Sequence, residues 1–204
     1  MPARIVALEG IDQAGKRTQS LLLANHLRHT NLKATCISFP IYGSAAGEQI
    51  RRFLTGKQDY PPEALHMLYS LNRWEKRDLM RRLVEQNDFV IADRYIPSNL
   101  AYGVSRGLSL SWLRTLDKGL PPADLVIVLD VPVPSSFERK RKDRDVHEND
   151  RRLLVRVRQS YKVLANKLQW KTIDATRPVG EVESAIWRLV TRRFNLQHRT
   201  SNRI

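Results

Sequence analysis

Sulfur chemistry is almost absent from this chain, which holds a single cysteine, Cys36, in 204 residues. No internal disulfide can form, so a reducing, intracellular setting is expected, most simply a cytoplasmic one. Cys36 lies in the apolar run ATCISF and is expected to pack in the core rather than react. The five histidines, His26, His29, His66, His147 and His198, are scattered, and with one cysteine they give no zinc-binding spacing. No G-x-S-x-G nucleophile turn occurs. No apolar run approaches the roughly 20 residues of a membrane span, so no membrane partner is expected. The opening MPARIVALEG lacks the basic, apolar and cleavage-site order of a signal peptide. Internal repeats, low-complexity linkers and signs of a second domain are also missing. Acid is scarce, with 21 Asp and Glu against 35 Lys and Arg, a net charge of +14. That excess admits a nucleic-acid binder or an enzyme acting on phosphorylated small molecules. Much of it sits in RKRKDR (Arg139 to Arg144) and in the closing RRFNLQHRTSNRI.

What is present reads as one globular domain over residues 1–194, followed by a basic tail at 195–204. RIVALE (4–9), ATCISF (34–39), FVIADRY (89–95), DLVIVLDV (124–131) and WKTIDA (170–175) are short apolar runs suited to buried parallel strands. Helices are expected between them: after the loop that follows residue 9, at 47–54, at 62–82 behind Pro61-Pro62, at 99–103, at 109–118, from about 150 to 168 and from about 179 to 194. The stretch after Val131 reads as a basic, mobile connection. Alternating strands and helices predict a three-layer α/β/α fold on a five-stranded parallel sheet, with ligands bound at the carboxyl ends of the strands. The notable residues fall at those ends: Gly10 to Thr18, Phe39-Pro40, Asp93-Arg94 and the loop after Asp174.

GIDQAGKRT (Gly10, Ile11, Asp12, Gln13, Ala14, Gly15, Lys16, Arg17, Thr18) meets the phosphate-loop pattern G-x-x-x-x-G-K but not its final Ser or Thr. Glycines let backbone N–H groups turn inward around phosphate oxygens, the next helix adds its positive end, and Lys16 reaches the terminal phosphates. Arg17 stands where a hydroxyl would hold magnesium; it is a donor only and stays cationic. Thr18 points about a hundred degrees away on a helix and cannot take the same place. The expectation is that phosphates, waters and Asp93 hold Mg²⁺ while Arg17 neutralises phosphate charge; an impaired loop is the alternative.

With that loop, Phe39-Pro40, LYSLNRWE, DRYIPSNLAYG and GLPPADLVIVLD in view, the chain resembles the thymidylate kinases, which are P-loop nucleoside monophosphate kinases. The likeness runs in order over roughly residues 4 to 190. It implies phosphoryl transfer from ATP to dTMP with Mg²⁺, a flexible lid at about 138–152 and a homodimer. It also implies that Asp12 approaches the deoxyribose 3′-hydroxyl, that Phe39 and Pro40 lie beside the substrate, and that Tyr69 stacks on thymine. Arg73 would bond the base, Asp93 would stand near magnesium and Arg94 would grip the dTMP phosphate. Ser98 and Tyr102 would line base and sugar, and Glu148 would lie near the sugar. Each role suits its residue type: a flat ring for a flat base, a forked guanidinium for phosphate or a carbonyl, a carboxylate for a cation. Taken alone, Tyr69 and Tyr102 equally suit core aromatics, Arg73 a pair with Glu75 or another surface acid, and Asp93-Arg94 a structural ion pair. Ile41 and Tyr42 stand where many relatives carry a further arginine, and Gln13 where some carry a catalytic one. The lid, rich in arginine, would then supply it, with Arg144 first and Arg139 and Arg141 behind; a solvated basic surface is the plainer reading. His147 is expected on the lid surface. Adenine is expected near Ala175 to Pro178, with Arg177 against it. A kinase for another nucleoside monophosphate, or a nucleic-acid-binding protein on an inherited kinase fold, are the competing functions; nucleic acid is the less expected partner.

Overall fold

Each apolar run forms a strand: β1 (Arg4–Glu9), β2 (Ala34–Ser38), β3 (Phe89–Asp93), β4 (Leu125–Asp130) and β5 (Lys171–Asp174). They pair in parallel in the order β2-β3-β1-β4-β5 in the computed structural model, which describes residues 3–140, 142 and 145–196. β1 is central, pairing with β3 through Ala7↔Ala92 and with β4 through Ala7↔Val126. From β1 the chain crosses to the edge strand β2, returns to β3 beside β1, and then builds outward through β4 and β5 on the other side, so the loop after β1 lies at the point where strand order reverses, the ligand crevice of such sheets.

Ten helices among the described residues cover the sheet: α1 (Lys16–His29), α2 (Ala45–Leu54), α3 (Pro62–Glu75), α4 (Arg77–Gln86), α5 (Ile96–Ser105), α6 (Leu110–Leu116), α7 (Val133–Arg139), α8 (Val146–Asn149), α9 (Arg151–Leu168) and α10 (Val179–Phe194). Strand side chains alternate between two faces, and each face has its own core. Val6, Leu8, Phe89 and Ile91 pack with α1, α5, α9 and α10 residues such as Leu23, Ala101, Leu154 and Ile186. Ile5, Ala7, Val90 and Ala92 pack on the other face against Met80 of α4, with Phe39 and Tyr95. A third cluster, Ile50, Phe53, Leu54 and Leu65, joins α2 to α3 beside the crevice.

Three elements differ from the sequence expectation. The helix expected over 62–82 is two helices, broken at Lys76, whose N–H turns back to the Arg73 carbonyl. The side chains just before the break are tied elsewhere: Arg73 to Asp117, Trp74 to the Leu116 carbonyl and Glu75 to the Ala46 N–H. The connection after Val131 contains α7, entered through prolines at its first turn, and α8, closed by a capping box in which Asp145 and Glu148 satisfy each other's backbone N–H. α5 starts at Ile96, three residues earlier than expected, with Pro97 in its first turn.

Candidate active site

The loop between β1 and α1 needs its glycines. Gly10 has φ +133, and a Cβ there would stand 2.5 Å from the Leu129 carbonyl oxygen of β4. Gly15 precedes the helix at φ +92, and Gln13 adopts φ +62. No side chain caps α1, so its first N–H groups are left for an anion, where the helix end is also positive. Lys16 is buried and its Nζ donates to the Ile11 carbonyl at 2.8 Å. Burial, and then the Arg94 guanidinium, lower its proton affinity to about 8, against Asp12, Asp93 and Glu9. Arg17 and Thr18 are both exposed.

β3 ends at Asp93, and Arg94 takes a left-handed turn at φ +65, a conformation uncommon for a residue other than glycine and often found at functional sites. That turn sends its guanidinium back to the loop. Nη1 donates to the Gly10 carbonyl and to Ser98 Oγ, each at 3.2 Å, while Nη2 pairs with Asp12 Oδ1 and donates to the Tyr102 hydroxyl at 3.4 Å. The Tyr102 hydroxyl donates to Asp12 Oδ2 at 2.9 Å. Burial pushes the Asp12 carboxyl up, but Arg94, Lys16 and the Tyr102 hydrogen bond outweigh it and hold it well below the usual carboxylate range. Lys16 and Arg94 therefore stand at one cleft.

Under this network sits Glu9, fully buried, accepting from the Tyr95 N–H at 2.8 Å, Ser98 Oγ at 2.5 Å and the Tyr161 hydroxyl at 2.8 Å. Burial raises its carboxyl's pKa, against those donors and Arg94. Glu9 joins the strand tip to α5 and to α9.

Beyond Arg94 a pocket opens between α2, α3, α5 and α8. Asp12, Phe39, Pro40, Tyr69, Arg73, Arg94, Ser98 and Tyr102 of the expected substrate set all line it. The Phe39-Pro40 peptide is cis, and Asn72 pins the chain after it by bonding both the N–H and the carbonyl of Ile41 at 2.8 Å. Arg73 pairs with neither Glu75 nor a surface acid. Its Nε and Nη2 meet the two oxygens of buried Asp117 at 3.0 and 2.8 Å. Asp93 lies at the β3 tip with Ser38 Oγ 3.5 Å away.

Glu148 does not line the pocket. Its Oε1 accepts from Gln13 Nε2 at 2.6 Å and its Oε2 from Lys140 Nζ at 2.7 Å, so it faces the phosphate loop. Arg139 spans two strand tips, donating to the Gln13 carbonyl at 3.0 Å and the Ala175 carbonyl at 2.7 Å. Arg177 is exposed and lies 3.7 Å from Asp174. Arg141 and Arg144 lie outside the described residues, as do residues 197–204 of the expected tail. His147 corrects the sequence reading: it is not on the surface but buried, with its ring against Phe53, Tyr69 and Tyr102. Tyr42, His66, Asn99 and Asp145 also line the pocket and were not anticipated. Helical spacing carried a signal for two of them. His66 lies three residues before Tyr69, and Asn99 three before Tyr102, so each shares a helix face with an expected site residue.

The family model for thymidylate kinase matches residues 8–186. The chain belongs to the thymidylate kinase family. Among its relatives, the thymidylate kinase of Thermomicrobium roseum is 36% identical over 197 residues, covering 91% of this chain and 93% of that one. The human thymidylate kinase is 30% identical over 184 residues, covering 89% and 87%. A solved thymidylate kinase structure from Candida albicans superposes with a TM-score of 0.82 at 27% identity, covering 96% of this chain and 94% of that one. This family member is thus a nucleoside monophosphate kinase of the P-loop fold, and its sheet order and phosphate loop follow from that membership. No helix among the described residues is long and apolar enough to cross a membrane.

Proposed function

We propose that this protein transfers the γ-phosphoryl group of ATP to dTMP, giving dTDP and ADP. The observation that carries this reading is the guanidinium of Arg94, bonded at once to the phosphate loop at Gly10 and to the pocket residues Asp12, Ser98 and Tyr102. A donor phosphate chain on the loop and an acceptor phosphate at the pocket mouth meet at that group.

The ATP phosphates lie against the amides of Gly10 to Thr18, with Lys16 leaving the Ile11 carbonyl for them. Bound phosphate stabilises the charged ammonium that burial otherwise disfavours. Arg94 holds the dTMP phosphate, Asp12 orients the sugar hydroxyl with Tyr102, and Tyr69 offers its ring to the base. Arg73 has two of its three nitrogens fixed by Asp117, which leaves Nη1 aimed by a rigid fork for a base carbonyl. No dedicated base is required, because the dTMP phosphate is already anionic and attacks once aligned. Catalysis here is positioning and charge compensation. Arg144 remains the proposed catalytic lid arginine. Arg139, bonded to two backbone carbonyls, acts as a brace between the phosphate loop and the proposed adenine loop at Ala175 to Pro178, where Arg177 lies.

Magnesium fits this site with one protein carboxylate. Asp93 stands at the strand tip close enough to raise the proton affinity of Lys16, and it offers the hard oxygen donor that Mg²⁺ prefers. Arg17 offers none, so phosphates and waters complete the shell, as is usual for this ion. When bound, Mg²⁺ neutralises charge on the β- and γ-phosphates. Arg17, exposed at the start of α1, adds a further positive charge beside them.

A homodimer is proposed from the family likeness, supported by Met67 and Leu71, both about half exposed and four residues apart on α3. A cytoplasmic location is proposed from the lone cysteine. The test is ADP release with Mg-ATP across nucleoside monophosphates. Turnover with dTMP well above dCMP, GMP and AMP is expected; no dTDP over a broad range of conditions rejects the reading.

A further inference from the structure

The pocket wall contains one residue that neither its type nor its expected surface position explains. His147 sits on α8, a four-residue helix, yet it is 5% exposed. A helix this short has little stability of its own and is held by its contacts. Its imidazole lies 5.2 Å from the Phe53 ring of α2, edge-on, and 5.5 Å from the Tyr102 ring of α5, stacked at 26°. Tyr69 of α3 stands at 6.4 Å. On one edge, Nε2 is 2.9 Å from Arg106 Nη2, at the carboxyl end of α5.

An arginine nitrogen is only ever a donor. Nε2 must therefore be the acceptor, and the ring hydrogen must be on Nδ1. Among the described residues Nδ1 has no hydrogen-bond partner and is not sealed, and it belongs to a ring that lines the pocket. Arg106 itself is half-buried, with its Nε sealed and unpartnered. Its Nη2 hydrogen bond to His147 is the guanidinium's hydrogen bond among the described residues.

We propose that His147 is a substrate-binding residue that offers a neutral Nδ1–H donor to an oxygen of the pyrimidine nucleotide, and that Arg106 is its positioning residue. Arg106 acts only through His147: it fixes the tautomer and holds α8 against the pocket. This rests on the reading of the pocket as a nucleoside monophosphate site. The surroundings favour the neutral ring. Burial, then Arg106, push the imidazole's proton affinity down to about 3, with His66 and Arg94 acting in the same sense and Asp12 against them. Tyr69 and Tyr102, the other ionisable groups packed on the ring, have their hydroxyl pKa values raised by burial and stay neutral. On its own element the ring is flanked by Asp145 and Glu148, tied to each other through the capping box. Arg156 of α9, Asp59 and Asp150 act on Arg106 in turn.

Two measurements test this. The first needs no turnover: ¹⁵N spectra of histidine-labelled full-length protein, with the His147 signal assigned by its loss in His147→Phe. A neutral Nδ1–H tautomer from pH 8 to 5 is expected, changing to a mixture or to the protonated ring below pH 6.5 in Arg106→Gln. An Nε2–H tautomer, or a ring already protonated at pH 6, overturns the proposal. The second is kinetic. His147→Phe keeps the ring packing and removes both nitrogens; the KM for dTMP should rise about tenfold, with the KM for ATP within twofold. Arg106→Gln should raise the dTMP KM about fivefold in the wild-type background and leave it unchanged in His147→Phe, since a residue acting through another is not additive with its loss. An unaltered dTMP KM in His147→Phe, or an Arg106→Gln effect that persists in the double variant, overturns it. If the wild-type protein instead fails to turn over dTMP at all, the assignment of function falls; normal wild-type turnover with unaltered variants removes only the His147 role.

Discussion

Arg94→Ala separates the two halves of the cleft most directly. The side chain removed makes two contacts to the loop and pocket through Nη1 and two through Nη2, one of them the ion pair with Asp12. In the proposed complex its fork also carries the dTMP phosphate. Hydrogen bonds to charged groups contribute about 1.5–3 kcal/mol each, and water replaces part of a lost pair. A net loss of about 3 kcal/mol, on the order of 10²-fold in kcat/KM for dTMP, is expected. ATP affinity, measured by titration calorimetry without dTMP, should change less than threefold, because the loop amides and Lys16 are intact. Folding is affected too. Asp12 keeps the Tyr102 hydrogen bond and Lys16 nearby but loses its partner. Breaking a fully buried pair costs about 3–5 kcal/mol, and this one is partly open, so about 2 kcal/mol is expected, or roughly 4–8 °C in Tm for a chain of this size. The left-handed backbone at position 94 is equally unfavourable for alanine, so it does not blur the comparison. Coupled-enzyme kinetics with dTMP varied at saturating ATP give the answer. Unchanged dTMP kinetics, or an ATP affinity that falls as far as kcat/KM does, refute the reasoning.

Three further outcomes follow from the same geometry. Arg17→Ser should weaken ATP binding without Mg²⁺ about tenfold and leave binding with Mg²⁺ within threefold, read by calorimetry; a large gain in rate and Mg²⁺ affinity would instead mark the natural loop as impaired. Arg73→Ala strands Asp117, which is 2% exposed, and should destabilise the fold by about 3–5 kcal/mol in urea unfolding while raising the dTMP KM; Asp117→Ala should do the same from the other side. Acid should loosen the fold through His66 and His147, held down to about 4 and about 3 by burial and Arg106. Unfolding lets both take up protons as pH falls below about 6.5, so their stabilisation is lost on acidification. Asp145, raised to about 6 by burial with Asp12 and Glu148, works in the opposite sense, its contribution being lost as pH rises through 6. Glu9, also raised by burial, acts in the same sense as Asp145. His147 alone accounts for about one proton, or about 1.4 kcal/mol per pH unit between pH 6 and 5, so the pH slope of stability should fall by that much in His147→Phe, and an unchanged slope would contradict it.

The phosphate loop and the sheet were legible because their determinants are contiguous. A buried strand, glycines that alone tolerate the turn, and a lysine opening an apolar helix follow one another between Arg4 and Lys16. Arg94 was legible for the same reason, beside a strand end. The far wall of the pocket was not. His66, Asn99 and His147 become neighbours only when α3, α5 and α8 converge, and no local pattern states that convergence. Here the lid's basic composition suggested an exposed surface for His147, whereas aromatic packing from three helices buried it. The break at Lys76 was equally hidden, since it comes from side chains clasping Asp117, Leu116 and Ala46. α8 itself could have been found: Asp145 and Glu148 stand at capping-box spacing.

Glu9 has a consequence for anyone engineering this enzyme. A charge-prone acid sealed in a core is an obvious candidate for replacement by glutamine to harden the scaffold. Yet Ser98, one of its three donors, also receives from Arg94, and Tyr161, another, belongs to the long helix that follows α8. Rigidity and grip share the same oxygens, so a sturdier variant obtained at this position should also be a slacker one towards its nucleotide.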